Sequence, residues 1–235
     1  MIVFVILFFV SAPYGRYQRR GWGPTVSARS AWVIMELPAV VVILACALYR
    51  DQAAGVVPLL MLFLWQIHYV YRTFLFPLLM RGGAKRFPVL LIAFAMVFNT
   101  ANGYVNGYNL FLSGRVYDLA WLADPRFLAG LGIFVFGYIV HIRTDKTLRG
   151  LRRMDDEGYQ IPRGGLFEYV SAPNYTGEII QWIGWAVLTW SFAGLAFAVF
   201  TVANLLPRGV RHHRWYRETF EDYPKSRRAV IPFLV

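Results

Sequence analysis

Cysteine is nearly missing from this chain of 235 residues: Cys46 is the single one, set inside an apolar run, so no intrachain disulfide can form and the redox compartment is left open. Charge is scarce as well. Lys, Arg, Asp and Glu together make up 16% of the residues, against about 25% in an average soluble domain. Internal repeats, low-complexity tracts and long linkers are absent, which excludes disorder, collagen and coiled coil and leaves one membrane domain over 1–235 as the simplest organisation. No strand-preceded GxGxxG, Walker A or HExxH sequence occurs, so a soluble-type Rossmann site is not expected. With four histidines and no cysteine pair, no metal centre is expected either, and the adjacent His212 and His213 should point to different helix faces.

What the sequence does have is apolar mass. Hydrophobic residues reach 57% and aromatics 17%, and runs such as Ala39 to Leu48 and Ala193 to Leu206 mark lipid as the main solvent. The fold class expected is therefore an all-α integral membrane protein. The formal charge is +11, from 24 Lys plus Arg against 13 Asp plus Glu, with the bases collected between apolar segments. That distribution suits lipid headgroups or an anionic cofactor better than nucleic acid, and nothing points to an obligatory protein partner.

Spans are predicted at Met1 to Tyr14, Ala31 to Tyr49, Ala53 to Met80 with a kink at Pro58, Phe87 to Ser113, and Phe127 to Ile142. The first resembles a signal-peptide core, but no base precedes it and Ser11-Ala12-Pro13 is a poor cleavage site, so it reads as a retained helix. Leu166 to Leu206 is about 41 residues, twice what one crossing of a roughly 30 Å layer needs at about 1.5 Å per residue, so it could hold one long helix or two. The bases decide between them. Arg16, Arg19, Arg20 and Arg29 follow the first span, Arg81, Lys85 and Arg86 the third, and six bases from Arg143 to Arg163 the fifth, whereas the other connections carry few. Seven more in the tail, from Arg208 to Arg228, should share a side with the six-base loop, which requires two crossings. The expectation is a seven-helix bundle with the N-terminus outside and the C-terminus cytoplasmic. In it, 1–140 hold five helices, and 141–235 hold a cytoplasmic loop, two helices and the tail.

Polar groups at membrane depth are the candidates for chemistry, because an ionisable group in hydrocarbon costs several kcal/mol unless screened or paired. Glu36 stands just ahead of Pro38 and reads either as a carboxyl in a low-dielectric site or as an N-terminal helix carboxylate. Tyr69 and Arg72 share a face next to His68, where interfacial anchoring is the alternative. Asn99, Asn102, Asn106 and Asn109 make a stripe beside Gly103 and Gly107 that should line a cavity, unless it serves helix packing. Gly130, Gly132 and Gly137 read as close-packing residues. The loop from His141 to Phe167 mixes bases with acids, and Arg211 to Tyr216 alternates cations with aromatics. Both suit an anionic planar ligand or lipid headgroups.

These residues resemble the steroid 5-alpha-reductases, integral membrane NADPH-dependent enone reductases. The resemblance is carried by Glu36-Leu-Pro38, His68-Tyr69-x-x-Arg72-Thr-Phe74, Asn102-Gly103, Asp145-x-x-Leu-x-x-Leu-Arg152, the stretch from Tyr159 through Gly164-Gly165 to Ser171, Asn174-x-x-Gly-Glu178, and His212-His213-Arg214-x-Tyr216. It spans nearly the whole chain. It implies a seven-helix fold, NADPH as cofactor, and a steroid entering from lipid. It also implies that Glu36 and Tyr69 hydrogen-bond the substrate's C3 carbonyl, and it assigns Arg72, Asn102, Asp145, Arg152, Tyr159, Asn174, Glu178, Arg208, His212 and Tyr216 to the cofactor. The membrane would be the bacterial inner membrane or the endoplasmic reticulum. His141 departs from the pattern, standing where the family usually has asparagine, and Gln181 replaces a frequent glutamate. An S-adenosylmethionine-dependent membrane methyltransferase is the rival, on Asn174-Tyr175-x-Gly177-Glu178, and a non-enzymatic sterol-binding protein is the third reading.

Overall fold

The computed structural model describes residues 21–50, 55–81, 83–151 and 159–234. The predicted first helix, Met1 to Tyr14, and the candidate Arg152 lie outside the described residues. Among the described residues, five helices are long and apolar enough to cross a membrane, namely Ala28–Leu48, Val56–Leu79, Val89–Phe111, Pro125–Leu151 and Phe192–Thr219. The chain is a helical integral membrane protein.

Two compact units share the described chain, one drawn from 21–128 with 191–193 and the other from 129–190 with 194–234. In the first, a short strand β1 (Thr25–Ser27) pairs antiparallel with β2 (Arg86–Pro88). Three residues each is too short for alternation to show in the sequence, so the pair was not expected. It clips together the segments that lead into helices α1 (Ala28–Leu48) and α4 (Val89–Phe111). Ser27 starts α1 by accepting a hydrogen bond from the Ser30 amide at 3.1 Å, one of the four amides a helix start leaves unpaired. Pro88 sits at the cap of α4, where its missing N–H costs nothing.

Helix α2 (Val56–Val70) continues through a π turn, Tyr71–Leu75, into α3 (Phe76–Leu79). The predicted kink at Pro58 is not there: Pro58 lies in the first turn of α2, where a proline is tolerated. The irregularity falls instead ahead of Pro77, which cannot donate to the Thr73 carbonyl. The chain inserts an extra residue, and the Phe76 amide bonds to the Tyr71 carbonyl.

In the second unit the stretch from Leu166 to Leu206 resolves into two helices, α6 (Pro173–Thr189) and the start of α7 (Phe192–Thr219), separated by Trp190 in the left-handed region at φ +45°. Helix α5 (Pro125–Leu151) runs past the predicted Ile142, so His141 and Asp145 lie on a helix and not in the loop expected there. Helix α7 likewise runs through the cation and aromatic segment 211–216. In both cases the helix outlasts its apolar stretch, which is all that the span prediction reads.

Helices α5 and α6 meet backbone to backbone. Gly137 faces the Gln181 backbone, Gly184 faces Phe134, and Gly130 faces Leu188, each so closely that a Cβ would overlap the opposite main chain. A Cβ at Gly177 would lie 2.5 Å from the His141 nitrogen. Glycines seven apart on each helix thus interlock, the small-residue packing that membrane helices use in place of a hydrophobic drive. Gly132 is not part of this seam and opens on empty space. Phe134, Trp182, Trp185 and Phe197 pack beside it, with Trp182 and Phe197 centroids 4.3 Å apart.

Candidate active site

In the first unit the acid and the phenol singled out in the sequence are held by neighbouring amides of α4. Glu36 lies in the middle of α1, so the N-terminal carboxylate reading does not apply. Asn99 donates through Nδ2 to the Met35 carbonyl at 2.6 Å and to Glu36 Oε2 at 3.1 Å. One turn further on, Asn102 Nδ2 donates to the Tyr69 hydroxyl oxygen at 3.4 Å. Asn106 donates in turn to Asn102 Oδ1 at 3.0 Å and fixes which way that amide faces.

Close approach of α1 and α4 makes these bonds possible. A Cβ at Gly103 would stand 3.3 Å from Val42 Cβ, and one at Gly107 would stand 2.9 Å from Cys46. Helix α2 is tied to the same part of α1 just past Pro38, where Trp65 Nε1 donates to the Ala39 carbonyl at 2.9 Å and Gln66 Nε2 to Val40 at 3.0 Å. Tyr69 is 3% exposed, with its ring against Trp65 at 4.8 Å. Arg72, carried on the π turn, brings its guanidinium 3.9 Å from Glu36 Oε1 and 4.5 Å from the centre of the Trp32 ring. Asn99 and Asn102 therefore bridge α1 and α2, whereas Asn109 donates to Tyr117 at 3.2 Å. Tyr117 ionises above the usual phenol range because it is buried, an effect reduced by Asn109 and Arg115.

The second unit carries charged groups instead. His141, Asp145, Asn174 and Glu178 gather across the α5 and α6 seam, where the contact at Gly177 allows it. Asn174 Nδ2 reaches Asp145 Oδ1 at 3.4 Å, and the His141 ring stands 3.7 Å from both Asp145 Oδ2 and Glu178 Oε2. On α7, His212 Nε2 meets the Tyr175 hydroxyl at 3.2 Å, while His213 Nδ1 meets Ser171 Oγ at 2.6 Å, so the two histidines do face different ways. Tyr216 is buried and stacks parallel on Tyr223, 5.3 Å away with an 8° tilt. Tyr159 stands edge-on to Trp215 at 5.0 Å. Arg208 is half-buried on α7, next to Gly209, which packs against Val230.

The C-terminal segment closes this unit. Its backbone pairs with 169–172, and Arg227, 1% exposed, donates to the Pro162 carbonyl at 2.9 Å and reaches Glu168 at 3.4 Å. Glu168 accepts from the Gly164 amide at 2.6 Å, and that bond, helped by Arg227, holds its carboxyl below the usual range. The loop that carries Tyr159 is thus fastened to the tail. Ser171, Tyr175 and Arg227 are not assigned to the site from the sequence. Their signal there is membership of the quoted motifs and of the tail, because their partners lie dozens of residues away.

The polar set fits a nicotinamide nucleotide. Asp145 Oδ2 is buried without a hydrogen-bond partner among the described residues, an acceptor suited to ribose hydroxyl or amide hydrogens. Arg208 and the tail bases suit phosphate, and the Tyr159 and Trp215 rings offer flat surface.

Comparison with known proteins gives one family. Its profile, described as 3-oxo-5-alpha-steroid 4-dehydrogenase, matches residues 85–235. The chain is 44% identical over 239 residues to 3-oxo-5-alpha-steroid 4-dehydrogenase 1 of Bos taurus, covering 100% of this chain and 92% of that protein. With the protein of the same name from Rattus norvegicus it shares 48% identity over 236 residues, 96% of this chain and 87% of the relative. With steroid 5-alpha-reductase DET2 of Arabidopsis thaliana it shares 43% over 236 residues, 98% and 90% of the two chains.

Proposed function

Because the chain belongs to the 3-oxo-5-alpha-steroid 4-dehydrogenase family, we propose that it reduces the 4,5 double bond of 3-oxo-4-ene steroids to 5-alpha-dihydro steroids in a membrane, with NADPH as reductant. When bound, NADPH supplies a hydride to C5, and negative charge then builds on the C3 oxygen. The chain's own residues meet that charge. Tyr69 donates a hydrogen bond from its phenol O–H to the C3 oxygen while Asn102, oriented by Asn106, holds the phenol oxygen from behind, and the enolate then takes up a proton from solvent at C4 to give the saturated ketone. Glu36, kept in place by Asn99 and faced by Arg72, makes the second contact. Donors already placed where charge develops lower the barrier, because nothing has to reorganise.

Arg72, Asn102, Asp145, Arg152, Tyr159, Asn174, Glu178, Arg208, His212 and Tyr216 are assigned to the cofactor. Arg72 and Asn102 also touch Glu36 and Tyr69, so in this reading they serve both ends of the reaction. Seven crossings, an outside N-terminus and a cytoplasmic tail complete the proposal, with the steroid arriving from lipid. Burial of its fused rings would supply binding at about 25 cal/mol per Å².

The observation that carries this reading is the pair of asparagines one turn apart, Asn99 and Asn102, that hold a mid-membrane acid and a buried phenol in a chain of this family. The test is NADPH oxidation by the purified protein with a 4-ene-3-oxosteroid, with the product's C5 configuration read by NMR. A steroid-dependent 5-alpha product is expected. Saturable binding of S-adenosylmethionine with none of NADPH would favour the methyltransferase instead, and steroid binding that ignores nucleotide would favour a sterol carrier.

A further inference from the structure

His141 is a fully buried titratable residue that the proposed reaction leaves without a task. It stands where α5 and α6 touch most closely. With Gly177 opposite its backbone, the main-chain carbonyl of Asn174 and the side chain of Glu178, three residues before and one after that glycine, flank the imidazole. Nδ1 lies 3.2 Å from the Asn174 carbonyl oxygen and 3.7 Å from Glu178 Oε2, and Nε2 lies 3.7 Å from Asp145 Oδ2. Each of these neighbours is an acceptor. The Nδ1 contact is a hydrogen bond only if that nitrogen carries the proton, and an N–H also attracts the carboxylates at 3.7 Å, a distance beyond a direct bond. Two carboxylates brought into one buried cluster with no donor between them would repel and turn apart, and the imidazole stands between these two.

We propose that His141 is a positioning residue that draws Asp145 and Glu178 together as one acceptor pair for the hydroxyl or amide hydrogens of the nicotinamide nucleotide. This rests on the reductase reading above. Its effect runs through the two acids, and the residue itself touches neither substrate nor reacting atoms. Asparagine at 141 offers an amide nitrogen near the place of Nδ1, and glutamine offers one near Nε2, so each keeps the reach to one acid and loses the other.

The test titrates NADPH into the full chain in detergent, by quenching of tryptophan fluorescence, for the parent, His141→Leu, His141→Asn and His141→Gln. Leucine should weaken NADPH about tenfold or more, the scale of losing contacts to charged groups, with the steroid KM unchanged. Asparagine and glutamine should each recover part of the loss. In a cycle with Asp145→Asn, the double variant His141→Leu/Asp145→Asn should lose less than the sum of the singles. If leucine does not yield folded protein, the asparagine and glutamine variants carry the test alone. NADPH affinity within about twofold of the parent in every folded variant overturns the proposal, as does equal loss in leucine, asparagine and glutamine variants. A parent that reduces steroid while its variants bind alike removes this inference only; a parent that binds no NADPH removes the reductase reading with it.

Discussion

The two units solve the burial of polar groups in opposite ways. In the first, neutral amides do most of the holding: Asn99, Asn102 and Asn106 sit between one acid and one phenol, and Arg72 is the one cation drawn to that acid among the described residues. In the second, acids gather on nitrogen-bearing side chains: Asp145 and Glu178 about the His141 imidazole, and Glu168 on buried Arg227. In the proposed reaction the difference matches the ligand that each unit would meet. A steroid carbonyl is neutral until hydride arrives, and a fixed amide network leaves its response to a phenol and an acid. A dinucleotide is charged and polar throughout, and matching it calls for charge that only mutual pairing makes tolerable inside a membrane.

The packing differs in the same sense, and the largest expected effect would break it. At the α5 and α6 seam a side chain on Gly137 or Gly184 meets main chain, which cannot move aside. Gly137→Val or Gly184→Val should abolish recovery of folded protein from detergent, since overpacking alone costs about 1 to 3 kcal/mol before the helices separate. At the α1 and α4 seam Gly103→Ala meets Val42 at 3.3 Å and should cost little. Gly132→Ala opens on space and should leave the thermal midpoint unchanged. Equal effects at all four positions would mean that the two seams do not differ.

Next in size is catalysis. Tyr69→Phe should lower kcat about 10² to 10³-fold, as loss of a donor to a developing oxyanion does, with NADPH affinity within about twofold of the parent. That is the reverse of the pattern expected at His141. Asn106→Ala should act in the same direction but more weakly, about tenfold, because it frees the Asn102 amide to rotate without removing the phenol. Single-turnover rates with bound nucleotide would measure both. A Tyr69→Phe variant that loses nucleotide and keeps its rate would move Tyr69 to the other half of the comparison.

How far the sequence foretold this depends on the range of each signal. Apolar runs marked all five long spans among the described residues, because a long stretch of one character can be read locally, although only the base count separated the fifth from the helix before it. The asparagine stripe showed in its three and four spacing, and Gly130 and Gly137 could be marked as packing residues, but Gly177 and Gly184 had no visible reason until α6 was laid against α5. The π turn left only Pro77 as a trace. Glu36 and Tyr69 were readable as polar groups in lipid, while their roles came from family resemblance alone. Ser171 and Arg227 showed only as parts of family-like stretches, and their partners, 42 to 65 residues away, were not legible at all.

The smallest expected effect separates the units by acid. Each has a carboxylate held in its ionised form, half-buried at Asp124 and exposed at Glu168. Asp124 is lowered to about 2, chiefly by the Arg126 side chain, and Glu168 is lowered by the Gly164 amide and then by Arg227. A lowered folded-state value means stability that is complete above the range where the unfolded chain titrates and is lost as pH falls through the folded value. For Asp124 the window runs from about 4 down to about 2. Both groups face water and salt screens them, so the shift in thermal midpoint should be slight in each case. What distinguishes them is the consequence. Protonating Glu168 loosens the loop that carries Tyr159 and leaves buried Arg227 with the Pro162 carbonyl, so NADPH affinity should fall on acidification below the usual glutamate range. Glu168→Gln should bind nucleotide more weakly at neutral pH and lose less of that affinity in acid than the parent does, whereas Asp124→Asn should follow the parent. If Asp124→Asn weakens nucleotide as much as Glu168→Gln does, acid acts through general destabilisation and the tail clip has no special part in holding the cofactor.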